Sequence, residues 1–98
     1  MMRISSSQAT AISKLIKASL GAGSEVWLFG SRAYDSKRGG DLDLYVESAQ
    51  PCSLEKRLRL TTKIQLLVGL RKVDLIVKTD SSPDRSIYTT AKSEGVHL

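Results

Sequence analysis

The stretch Val26–Val46, VWLFGSRAYDSKRGGDLDLYV, decides how this chain is read. It opens with the apolar run Val26-Trp27-Leu28-Phe29, passes through Gly30-Ser31, and nine residues later sets Asp41-Leu42-Asp43 inside a second apolar run. The first run has no polar alternation and is rich in strand formers, which predicts a strand covered on both faces. In the second, period-two alternation puts Leu42, Leu44 and Val46 on one face and Asp41, Asp43 and Tyr45 on the other. Between them, Gly30 to Gly40 holds three glycines, two serines, Arg32, Lys37 and Arg38. That composition predicts a loop, with room for one helical turn beginning at Ser31.

An acid projecting from an apolar strand is costly to bury without a partner. Asp41 and Asp43 do this on one face, two residues apart. Lys72 to Lys78, KVDLIVK, repeats the pattern as a third strand: Val73, Leu75 and Val77 share one face, Asp74 and Ile76 the other. If the two strands are neighbours, three carboxylates converge, and like charges so close raise one another's pKa unless a cation sits between them. Oxygen-only ligands suit Mg²⁺ or Mn²⁺, the metals of phosphoryl chemistry. Asp41, Asp43 and Asp74 are therefore the candidate metal ligands and catalytic residues. Any one of them alone reads better as a solvated strand-end acid or a lysine partner; three together, downstream of a glycine turn, favour the metal.

Gly30 and Ser31 supply a second function. Glycine after a strand lets backbone approach a ligand closely, and exposed N–H groups in a tight turn grip phosphate oxygens. Ser31 adds a hydroxyl donor, and Arg32 a cation for the outer phosphates. The loop is not a Walker A sequence, since no G-x-x-x-x-G-K-[ST] occurs. Lys37 and Arg38 read equally well as a solvated basic loop.

The flanking segments read as packing elements. Residues 6 to 20 predict a helix capped by Ser5, Ser6 or Ser7, with Ala9, Ile12, Leu15, Ile16 and Leu20 on its apolar stripe and Gly21 and Gly23 as stops. After Ser48-Ala49-Gln50-Pro51, a second helix is expected from about Ser53, its candidate cap, to Leu70, with Gly69 as a candidate stop. Its buried face is assigned to Leu54, Leu58, Ile64, Leu67 and Val68, and its first half carries Lys56, Arg57, Arg59 and Lys63. A short helix from Arg85 to Gly95, with Ile87, Tyr88 and Ala91 inward, closes the order helix, strand, loop, strand, helix, strand, helix. The fold class is α/β (α+β): a small mixed sheet of at least three strands against helices.

Ninety-eight residues, 41% hydrophobic and 26% charged, predict one soluble domain spanning 1–98. With 5% aromatic residues the core is expected to be aliphatic. No apolar run nears the roughly 20 residues of a membrane span. The N-terminus has no signal-peptide segment, and the lone Cys52 suits a reducing compartment, so the expected location is cytoplasmic. One histidine, His97, argues against a zinc site. The net charge of +5 suits an anionic partner but is common among soluble proteins.

FGSRAYDSKRGGDLDLYV resembles the Gly-Ser then Asp-x-Asp signature of the DNA polymerase β-like nucleotidyltransferase superfamily, specifically its minimal nucleotidyltransferases. VDLIV around Asp74 resembles the strand that gives that family its third carboxylate, and SEGVHL resembles the close of the family's final helix. Asp35 stands where glycine is frequent, and Gly40 where serine is frequent. The resemblance implies a palm-like fold in which Asp41 and Asp43 hold two metal ions and Gly30 and Ser31 hold the β and γ phosphates. Asp74 would deprotonate the attacking hydroxyl and share a metal. The implied reaction is attack on the α-phosphate of a nucleoside triphosphate, most simply ATP, with release of pyrophosphate. Minimal members are typically encoded beside a HEPN-domain ribonuclease toxin, act as its antitoxin and adenylylate a toxin tyrosine, so the partner expected here is a HEPN toxin. The rival readings are an aminoglycoside-type small-molecule nucleotidyltransferase subunit and a non-catalytic antitoxin that neutralises by binding. Direct nucleic-acid binding through the basic half-helix is not the favoured reading.

Overall fold

The computed structural model describes residues 4–29, 42–69, 72–79 and 86–98. Among them the chain forms three helices and four strands: α1 (Ser6–Leu20), β1 (Glu25–Phe29), β2 (Leu42–Glu47), α2 (Leu54–Leu67), β3 (Val73–Lys78), α3 (Ser86–Glu94) and β4 (Val96–His97). The sheet order is β3-β2-β1-β4. β1 runs antiparallel to both β2 and β4, while β2 and β3 are parallel and joined through α2, so the sheet is mixed.

Local chemistry sets the helix ends. The Ser5 side chain accepts the Gln8 N–H at 3.1 Å, and the Gln8 side chain accepts the Ser5 N–H at 2.9 Å. This capping box satisfies two backbone donors that no helical turn can reach. α1 ends at Gly21, whose φ of 103° is a conformation that side-chain-bearing residues avoid. The Ser53 hydroxyl oxygen caps α2 by accepting the Lys56 N–H at 3.1 Å. One face of the sheet is covered by α1 and α2, through Ile12, Ile16, Leu20, Leu60 and Ile64 against Val26, Leu28, Leu42, Leu44, Val46, Val73 and Leu75. The other face carries α3, whose Tyr88 and Ala91 pack with Trp27, Phe29 and Tyr45. Every residue from Val26 to Phe29 is buried, as a strand enclosed between two layers requires.

Three expectations need correction. The buried face of α2 is Leu60 and Ile64, continued by Val68; Leu54, Leu58 and Leu67 are exposed. Leu60, Ile64 and Val68 recur every four residues and form one stripe, whereas Leu54 and Leu58 lie on a different row. The core is not wholly aliphatic either: the layer under α3 is built from Trp27, Phe29, Tyr45 and Tyr88, so the few aromatic residues are concentrated there. Finally, Val96 and His97 leave the last helix and form a strand on β1. The turn is made at Gly95, where a Cβ would collide with the Ala91 carbonyl oxygen and lie 2.9 Å from that of Leu28. Only glycine fits between those two backbones.

Candidate functional site

β1 ends, and β2 and β3 begin, at the same end of the sheet. Phe29, the last residue of β1, is the register partner of Asp43, and Asp43 is in turn the partner of Asp74 on β3. Neighbouring strands lie about 4.8 Å apart, so the two aspartate backbones are adjacent. Alternation puts both on the α3 side of the sheet, in line with Tyr45 and Ile76, while Leu42, Leu44, Val73 and Leu75 enter the aliphatic layer behind. Asp43 is half-buried and Asp74 exposed. The ladder continues at both ends: Leu42 N–H donates to the Lys72 carbonyl at 2.9 Å, and Ser48 N–H to the Lys78 carbonyl at 2.8 Å. The juxtaposition of the two acids is therefore a property of backbone pairing.

Asp43 and Asp74 open into a cleft of ≈ 540 Å³ whose other walls come from Phe29, from Val73, Leu75 and Ile76 of β3, and from Arg57, Leu58 and Thr61 of α2. Arg57 reaches the edge strand, where its guanidinium donates to the Leu75 carbonyl at 3.4 Å. It thereby occupies a backbone acceptor on a strand that has no neighbour on its outer side among the described residues. A cation on one wall and two carboxylates on another suit a ligand that is itself charged in parts, such as a metal–polyphosphate.

Of the residues singled out in the sequence, Asp43 and Asp74 are brought together in this way. Asp41, Gly30, Ser31 and Arg32 lie outside the described residues. Among those described, no three His, Cys, Asp or Glu side chains form a group able to hold a metal; Asp43 and Asp74 are two of the three expected ligands. The cleft-lining role of Arg57, Leu58 and Thr61 was not visible in the sequence. Arg57 stood out only as part of a basic helix, because its placement depends on how α2 lies across β3.

Two other groups of polar residues serve structure. His97 stacks on Trp27 with ring centroids 4.7 Å apart and meets the Glu25 carboxylate at 2.8 Å. The bond to His97 holds the Glu25 carboxyl below its ordinary pKa, opposed by desolvation and aided by the charge of Lys17. Lys92 lies over the Trp27 ring at 5.2 Å and pairs with Glu47 at 3.2 Å, tying α3 to the sheet. Burial pushes the Cys52 thiol up, against the lowering effect of Lys56 and Arg57, so it stays protonated near neutrality. Cys52 packs against the aliphatic core as an inert residue. No described helix is long and apolar enough to cross a membrane.

No curated protein sequence matches the chain. Among solved structures, it resembles one of the toxin–antitoxin pair MntA–HpeT carrying two aspartate-to-glutamate substitutions two positions apart. The TM-score is 0.73 at 20% identity, with 91% of this chain and 70% of that chain covered. That likeness establishes the fold. Residues 10–96 match the family described as the nucleotidyltransferase domain. With a helix-flanked mixed sheet, two in-register aspartates at one end of it and a family match over nearly its whole length, the chain belongs to the nucleotidyltransferase domain family.

Proposed function

We propose that the protein transfers AMP from ATP to a hydroxyl of a partner protein, a tyrosine of a HEPN-type ribonuclease toxin, and so acts as its antitoxin. The observation that carries this reading is the register pairing of Asp43 with Asp74 at the mouth of a cleft that also holds Arg57. Two carboxylates on one face suit a hard divalent cation, which would be held by Asp41, Asp43 and Asp74. Once bound, Mg²⁺ or Mn²⁺ neutralises charge on the phosphate oxygens. Gly30 and Ser31 bind the β and γ phosphates, with Arg32 beside them. Asp74 accepts the proton of the acceptor hydroxyl as its oxygen attacks the α-phosphorus. The bond from that phosphorus to the β-phosphate oxygen breaks, and pyrophosphate leaves. The likeness to a toxin–antitoxin structure supports the choice of a protein acceptor.

One experiment tests the assignment. The protein is mixed with α-labelled ATP, Mg²⁺ and the purified product of the adjacent gene. Label should appear on that product and vanish with the double substitution Asp41→Asn, Asp43→Asn. Neutralisation of the toxin that survives the double substitution would sink the catalytic reading in favour of binding alone. Labelling of an aminoglycoside without any protein partner would point instead to a small-molecule enzyme.

A further inference from the structure

The leucines that α2 turns outward belong to neither core cluster. Leu54, Leu58 and Leu66 are 62%, 56% and 68% exposed. With Thr62 between the last two, they form a single row at four-residue spacing along the helix. Isolated surface leucines are ordinary, but three exposed leucines aligned in one row, broken only by Thr62, mark a contact surface. A second row, Glu55, Arg59 and Lys63, runs beside it, with Arg59 paired to Glu55. On the opposite flank Arg57 and Thr61 line the cleft of Asp43 and Asp74, and Leu58 belongs to both the row and the cleft. The helix as a whole carries Lys56, Arg57, Arg59 and Lys63 against the single acid Glu55.

We propose that this face of α2 is the surface on which the acceptor protein docks, through an amphipathic helix whose apolar ridge is flanked by aspartates and glutamates. The inference rests on the reading of the chain as a protein-directed nucleotidyltransferase. Rows at four-residue spacing receive the matching rows of a second helix, ridge into groove. Burial of the leucines holds the pair together, while the excess of cations along α2 selects an acidic flank and steers the encounter. Because Leu58 lies at the seam, a helix seated here abuts the cleft, and a hydroxyl beside that helix is carried to Asp74. A nucleic acid would use the cations and leave the leucines in water. A second copy of this chain would set like charges against each other.

Two double variants test this while sparing Leu58: Leu54→Glu with Leu66→Gln, and Arg59→Glu with Lys63→Glu. The probes are the purified product of the adjacent gene and α-labelled ATP with Mg²⁺; circular dichroism confirms that each variant melts as the parent does. Each variant should raise both the Kd and the KM for the protein acceptor at least tenfold, with kcat at saturating acceptor and the affinity for ATP unchanged. Parental Kd and KM in both variants would overturn the docking face and leave the transfer reaction standing. Binding by the parent without transfer, lost in both variants, would uphold the face and sink the transferase reading. A parent that neither binds nor labels this product overturns both. Self-association of the parent that both variants abolish would assign the face to a second copy and overturn the proposal.

Discussion

Asp74 is the more exposed of the two paired aspartates, and its side chain stands where an incoming hydroxyl can reach it from solvent. Replacing it with asparagine removes the proton acceptor proposed above and keeps the shape. Asp74→Asn should retain ATP binding, measured by equilibrium titration, while single-turnover transfer falls by about 10²-fold or more. Undiminished transfer would show that the proton leaves by another route. At the opposite end of β1, Glu25 is held below its ordinary pKa chiefly by His97. The stabilisation tied to that shift is fully present above the usual carboxylate range, and it is lost as pH falls through the lowered folded-state value. His97→Ala should therefore raise the Glu25 titration midpoint toward its ordinary value, as read by NMR of the carboxyl carbon. An unmoved midpoint would mean that Lys17 carries the effect.

The helices and strands were legible to different degrees, and α2 shows why. Its existence, its Ser53 cap and its approximate end followed from start and stop signals, but its inward face did not. The helix has more leucines than one stripe can bury, and nothing in a single sequence says which row faces the sheet. The structure predicts unequal penalties: Ile64→Ala, at a fully buried position, should cost about 2–5 kcal/mol of unfolding free energy. Leu66→Ala should stay within about 0.5 kcal/mol. Urea denaturation of both variants checks this. β4 escaped notice because two residues make no periodic pattern, and its partner lies some seventy residues earlier in the chain. The face shared by Asp43 with Tyr45, and by Asp74 with Ile76, was by contrast readable from alternation. What the alternation could not supply was the neighbour relation between β2 and β3. Gly95→Ala tests the turn between α3 and β4. Its new methyl would strike the Ala91 and Leu28 carbonyls, which as backbone atoms cannot rotate aside, so a loss of about 1–3 kcal/mol is expected in the same denaturation assay.

For the molecule as a whole, the parallel pairing of β2 with β3 does two jobs with one set of hydrogen bonds. A slip of β3 by a single residue would turn Asp74 into the aliphatic layer and Leu75 onto the opposite face of the sheet, beside Asp43. The slipped sheet would bury an acid and strand a leucine, so it should be too unstable to accumulate. Misaligned but folded molecules are thus excluded by the same alternation that brings the carboxylates together. It follows that this protein carries its own quality control: a molecule whose sheet is intact has its two acids aligned. Across a urea titration, the fraction of label-transferring molecules, extrapolated for denaturant inhibition, should fall with the same midpoint as the helical circular dichroism. Catalysis would then serve as a stoichiometric count of native chains.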